Sequence, residues 1–164
     1  MARPVANLSV AGMQVEIRRA VLGDVPEIVQ LLADDPLGRS RESRSTEDDL
    51  TPYRQAFSLI DGNDRELLVV ACLRSEVIGT LQISFIPGLS RRGALRAQIE
   101  GVRIRDDFRS RGLGRAIFEW AIGLARSRGC SLVQLTTDKT RADAHRFYGS
   151  LGFSPSHEGF KLAL

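Results

Sequence analysis

From Met13 the chain alternates: in MQVEIRRA (13–20) apolar and polar side chains take turns, the period of a half-buried strand. Asp24 with Pro26 just behind it marks a helix start, and Ile28, Leu31 and Leu32 recur at helical spacing. DDPLGRSRESRS (34–45) reads as a polar loop. Thr46 with Asp49 three residues on resembles a capping arrangement, opening a second helix that runs to about Ile60 with Pro52 early in it. DGND (61–64) is a turn. ELLVVACL and VIGTLQISFI, joined by RSE, predict an antiparallel hairpin; after the loop PGLSRRG (87–93), ALRAQIEGVRI (94–104) predicts a third consecutive strand. Apolar positions 113, 116, 117, 120, 121, 124 and 125 then trace one face of a helix, closed by Gly129 with Arg126 and Arg128 near its end. SLVQLTT (131–137) is a strand, and Ala144, Phe147, Tyr148 and Leu151 mark a short helix stopped by Gly152. FSPSHEGFKLAL suits a closing strand or hairpin.

The order β-α-α-β-β-β-α-β-α-β shows neither repeats nor a linker. It predicts one α/β (α+β) domain over residues 13–164, with a mixed, mostly antiparallel sheet flanked by helices. Ahead of it, MARPVANLSVAG (1–12) is mildly apolar but broken by Asn7, Ser9 and Gly12, and is expected to be a flexible tail rather than a signal peptide.

Composition narrows the class. At 164 residues the chain can bury a core without staples, and no apolar run approaches the roughly 18–20 residues that cross a bilayer, so no membrane association is expected. Cys72 and Cys130 lie in apolar contexts with no metal-ligand spacing, which points to reduced thiols in a cytoplasmic protein and to no metal. The net charge of +3 is nearly all arginine, since Lys139 and Lys161 are the only lysines. That is too little for a nucleic-acid partner, and no basic-aromatic array accompanies it.

The chemistry concentrates in RDDFRSRGLGRAIF (105–118). A strand, a tight loop and a helix beginning near Gly112 leave several backbone N–H groups free at the positive end of a helix dipole. Gly112 and Gly114 let an anion approach the backbone, and Arg109, Arg111 and Arg115 add charge. No GxxxxGK[ST] is present, and Ile117 stands where a dinucleotide fingerprint needs a small residue. On these residues alone, a glycine turn with solvated arginines stays open.

Arg109, Gly112 and Gly114 match Arg/Gln-x-x-Gly-x-Gly/Ala, the pyrophosphate signature of the GCN5-related N-acetyltransferases, and the chain resembles that family. QIEGVRI upstream, AHRFYGSLGF downstream and the element order from about residue 13 to 164 extend the likeness. The resemblance implies acetyl-CoA as co-substrate, with its pyrophosphate on the amides of Ser110, Arg111, Gly112, Leu113, Gly114 and Arg115. It implies a V-shaped splay between the fourth and fifth strands counted from Met13, where the pantetheine arm pairs with backbone around Val102 and Ile104. The Val102 amide would polarise the thioester carbonyl, and Gly101 would mark a bulge. Glu100 falls where many relatives carry a base, and Tyr148 at the usual general-acid position. Arg141 stands where many members have a pantetheine-binding asparagine, so that contact is replaced by a guanidinium or lost.

Taken without the resemblance, Glu100 also reads as a solvent-facing carboxylate paired with an arginine, and Tyr148 as core. His145 shares a helix face with Tyr148 but suits a surface histidine, and His157 could line an acceptor pocket. Within the family the C-terminal segment looks closest to aminoalkylphosphonate and related small-amine N-acetyltransferases. The expected acceptor is the primary amine of a small molecule, and Arg91, Arg92 and Arg96 would suit an anionic one. A protein amine, or an idle acyl-CoA-binding regulatory module, is the rival. A homodimer through an exchanged C-terminal strand is also expected from the family.

Overall fold

The computed structural model describes residues 4–34 and 48–164. Six strands form one sheet in chain order: β1 (Pro4–Val10), β2 (Met13–Arg19), β3 (Glu66–Leu73), β4 (Glu76–Pro87), β5 (Leu95–Ile104) and β6 (Leu132–Leu135). Neighbours through β5 are antiparallel, and β5 with β6 is parallel. The helices are α1 (Val25–Ala33), α2 (Thr51–Asp61), a single turn α3 (Ser90–Gly93), α4 (Leu113–Ser127) and α5 (Ala142–Ser150).

Period-two alternation gives the sheet two apolar faces. On one, Val15, Ile17, Val69, Leu81, Ile83 and Ile99 pack against Leu113, Ile117 and Phe118 of α4. On the other, Val70 and Cys72 meet Val25, Ile28 and Val29 of α1 and Phe57 of α2. The result is helix, sheet, helix. Phe118, 1% exposed, anchors the first layer, with edge-on contacts to Phe147, Tyr148 and Phe153 that seat α5 and the residues after it.

Two expectations are corrected. Residues 4–10 are not a loose tail but a strand paired with β2 through the turn Ala11–Gly12, both residues left-handed at φ 48° and 79°. Asn7 and Ser9 are the outward positions of a period-two strand whose inward side is Ala6, Leu8 and Val10. At the other end, residues 153–164 form no strand. Phe153 docks on the aromatic cluster, but Pro155 and Gly159 interrupt the stretch beyond it, and Phe160, Leu162 and Leu164 lie exposed. The Thr46 capping arrangement falls outside the described residues.

The sheet opens where the splay was expected. β5 pairs with β6 only from Arg96↔Leu132 to Ile99↔Leu135, and then runs on to Ile104 alone on that side. Opposite β4, Glu100 pairs with Gln82 and Arg103 with Thr80, so Gly101 and Val102 face Leu81 out of register. Gly101 sits at φ 59°, the left-handed conformation that a bulge of this kind uses. The bulge bends β5 away from β6 and leaves a V-shaped gap.

Candidate active site

The floor of the gap is β5 beyond Ile99. Arg105 N–H pairs with Ile78 O on β4, so strand alternation turns the amides and carbonyls of Ile104 and Val102 the other way, into the gap. The Val102 carbonyl accepts from Arg103 Nη1 at 2.8 Å, and that of Ile104 from Arg109 Nε at 3.0 Å. Both carbonyls are engaged, which leaves the two amides as the donors facing the gap.

At the mouth of the gap stands the loop before α4. Ser110 is left-handed at φ 58° and Gly112 at φ 82°. Alternation of this sort turns successive N–H groups inward around a concavity. The first intrahelical bond runs from Ala116 N to Gly112 O, and no side chain caps the end, so the first-turn amides of α4 point out of it. A Cβ at Gly114 would find only Phe147 Cζ at 3.7 Å, so packing does not demand glycine there; the room is left in front of the amides.

The three arginines divide their work in a way that spacing did not reveal. Arg109 also pairs through Nη2 with Asp106 at 2.7 Å, and so shapes the loop from behind. Arg115 leaves the loop: its Nη2 donates to Ser150 Oγ at 2.7 Å and its Nη1 meets Glu119 at 3.6 Å, tying α4 to α5. Arg111, exposed and within 5.6 Å of the Phe108 ring centre, forms no hydrogen bond or ion pair among the described residues and is available to an anion.

Tyr148 lies between α5 and the core, half-buried against Phe118, Phe147 and Phe153. Burial pushes its hydroxyl pKa above the ordinary phenol value, while the guanidiniums of Arg141 and Arg103 draw it back. Arg141 occupies the N-cap of α5, its amide bonded to Asp138 O at 3.1 Å. Glu100 is exposed at the lip of the gap and forms no arginine pair among the described residues; Gln98 Nε2 donates to its Oε1 at 3.4 Å. Gln98 in turn accepts from Gln134 Nε2 of β6 at 2.6 Å. Sequence reasoning missed this chain, although Arg96, Gln98 and Glu100 stand as alternate polar positions along β5.

Other candidates lie apart. His145 is exposed, its Nε2 3.2 Å from Asp138 O, and His157 is exposed beside Ser156 Oγ. Arg91 and Arg92 sit left-handed and exposed on α3. Cys72 and Cys130 are free thiols whose pKa burial raises. Among the described residues no cluster could hold a metal, and no helix is long and apolar enough to cross a membrane.

Comparison with known proteins relates the chain to one family. The profile of the Acetyltransferase (GNAT) family fits residues 25–153. An aminoalkylphosphonate N-acetyltransferase from Salmonella typhimurium is 28% identical over 151 residues, 91% of each chain. Among solved structures, a Bacillus halodurans protein described as a transcriptional regulator is 47% identical, with a TM-score of 0.86 over 92% of this chain and 99% of its own. An Agrobacterium tumefaciens protein provisionally assigned as an acetyltransferase is 26% identical, with a TM-score of 0.78 over 90% of this chain and 99% of its own.

Proposed function

The chain belongs to the GNAT acetyltransferase family, and on that premise we propose that it transfers the acetyl group of acetyl-CoA to the primary amine of a small molecule by direct attack. The observation that carries this reading is the position of the Ser110–Gly112 concavity at the mouth of the β5/β6 gap. The amides of residues 110–115, with Arg111 beside them, suit a pyrophosphate, and the Val102 and Ile104 amides suit the pantetheine arm and thioester carbonyl. Arg109 and Arg115 contribute by holding the loop and helix rather than as anion contacts.

In this reaction the amine nitrogen forms a bond to the thioester carbon and the C–S bond breaks. The proton lost from the amine goes to Glu100, directly or through water, and the departing thiolate takes one from Tyr148. The raised pKa of Tyr148 keeps that proton in place at neutral pH. The free thiols Cys72 and Cys130 suit a reducing, cytoplasmic setting, and the exposed 154–164 segment suits exchange between two copies in a homodimer. The test is calorimetric titration with acetyl-CoA followed by thiol release over a panel of amines. Absence of acetyl-CoA binding overturns the reading.

The described role of the Bacillus halodurans protein favours a second reading, an acyl-CoA-binding regulatory module without turnover. Binding of acetyl-CoA with no thiol release on any amine, small or protein-borne, would select it.

A further inference from the structure

One band of polar side chains crosses four strands on the sheet face that carries α1 and α2. Glu66 pairs in register with Ser84, Ser84 with Gln98, and Gln98 with Gln134, so a single row spans β3, β4, β5 and β6. Gln82 and Glu100 face each other one step along. Away from the band this face carries Leu68, Val70 and Cys72 under the helices, together with Thr80, whose hydroxyl donates to Val69 O, and Arg18, paired with Asp24. Apolar burial gives way to carboxylates and amides where the face meets the lip of the gap. Exposure is uneven along the band: Glu66, Gln82 and Ser84 are half-buried, Gln98 is buried, and Glu100 and Gln134 are exposed at its far end.

Hydrogen bonds inside the band fix what it shows to solvent. A carboxylate only accepts, so Gln82 must turn its nitrogen to Glu66 Oε2, at 3.0 Å, where Ser84 Oγ also donates at 2.8 Å. Glu100 likewise holds the nitrogen of Gln98, whose oxygen then takes the nitrogen of Gln134. Each amide commits a hydrogen inward. Glu66 Oε1, Glu100 Oε2 and the amide oxygens of Gln82 and Gln134 are left without a partner among the described residues. The guanidiniums flanking the row hold backbone groups: Arg19 Nη2 donates to Glu66 O at 2.8 Å and Arg103 Nη1 to Val102 O, while Arg96 Nη1 lies 3.7 Å from where a Cβ on Gly88 would stand. The band therefore presents two carboxylates and amide oxygens.

We propose that this band is the acceptor-binding floor, and that it selects an amine carrying a second cationic, donor-bearing group, which Glu66 receives while the reacting amine lies at Glu100. Two strand spacings, about 10 Å across, and two residues, about 7 Å along, set the Glu66 and Glu100 backbones about 12 Å apart, and side chains leaning together bring the two carboxylates within reach of one short flexible diamine. Desolvating an anionic acceptor against these oxygens is unfavourable, so an aminoalkylphosphonate is a poor fit. The inference rests on the proposed reading of Glu100 as the end of the site where transfer occurs.

The test is titration of putrescine and of butylamine into the full-length protein saturated with coenzyme A, for wild type and Glu66→Gln. Putrescine should bind at least about tenfold more tightly than butylamine, and Glu66→Gln should remove most of that preference while leaving butylamine and coenzyme A unaffected. Equal affinity of the two amines, or a preference that survives Glu66→Gln, overturns the proposal. Should Glu66→Gln lose its thermal transition, competition in the wild type decides: tighter binding of γ-aminobutyrate or aminomethylphosphonate than of putrescine is equally fatal. Thiol release separates this proposal from the transfer reading. Putrescine bound selectively but never acetylated keeps the floor and overturns the transfer; acetylation without selectivity does the reverse.

Discussion

Arg109 donates from Nε to the Ile104 carbonyl at 3.0 Å, joining the last residue of β5 to the loop that opens α4. The same guanidinium meets Asp106 at 2.7 Å. One side chain thereby sets the distance between the floor of the gap and the proposed anion seat at its mouth. Arg109→Ala should raise the acetyl-CoA Kd by about tenfold, the scale of one hydrogen bond from a charged group, even though the side chain contacts no phosphate in this reading. Because the pair is exposed, the thermal midpoint should move little. Titration calorimetry beside a melting curve separates the two effects; unchanged affinity would make the tether ornamental.

Tyr148 is predicted to matter for turnover rather than for binding. Tyr148→Phe keeps the edge-on contacts with Phe118 and removes only the hydroxyl, so kcat should fall about tenfold or more with the acetyl-CoA Kd nearly unchanged. Burial raises its pKa above the ordinary 10.0 against the pull of Arg141 and Arg103. The unfolded chain therefore releases this proton first as pH rises, and the native state loses stability from about pH 10 upward. Tyr148→Phe should lack that part of the alkaline loss, which urea titrations at pH 9 and above would detect.

Much of this was legible in the sequence because the signals were local. Strand and helix periods placed β2 to β5 and α4, and two glycines after a strand marked the loop that opens α4. What stayed hidden depended on contacts across elements. Arg109, Arg111 and Arg115 look alike along the chain, yet one braces the loop, one is available, and one reaches α5 at Ser150. Ser110 gives no hint of a left-handed backbone, since glycine is the residue expected there. The Glu66–Gln134 row is invisible until strand register is known, because its members come from four separate segments. At the C-terminus the alternation of Phe160, Leu162 and Leu164 resembled a strand, but no sheet edge receives it within one chain.

Asp24 and Arg18 form the ionic pin of the α1 layer. Arg18 Nη1 and Nη2 meet the two carboxylate oxygens at 2.7 and 2.8 Å, and Val21 N–H adds a third bond at 2.7 Å. Burial works to raise the Asp24 pKa, but the guanidinium and the Val21 amide outweigh it and hold the carboxyl below its ordinary value. A depressed carboxyl contributes stability above its unfolded pKa, near 4, and loses it as pH falls through the native value. Asp24→Ala should cost about 3 kcal/mol at pH 7, the scale of a buried pair broken on one side. The gap to wild type should narrow below pH 4 in denaturant titrations. A constant difference across pH would assign the loss to packing instead.

The N-terminal strand gives the sharpest test of structure against sequence. Six residues of β1 pair with β2, and Val10 is 7% exposed within the main core. Val10 also backs the loop proposed to seat the anion, since a Cβ added to Gly112 would lie 3.7 Å from its Cγ1. Removing residues 1–10 therefore strips one edge of β2 and one wall behind the loop at once. Burial of Val10 alone is worth about 2 kcal/mol, so with the lost pairing the thermal midpoint should drop by about 5–10 °C. Acetyl-CoA should bind several-fold more weakly, because the left-handed turn at Gly112 loses the side chain it rests on. A loose tail would make the same truncation silent in both measurements. Val10→Ala separates the two contributions: it keeps the backbone ladder with β2, so a weakened Kd in that variant traces to the wall behind Gly112 and not to the frayed sheet.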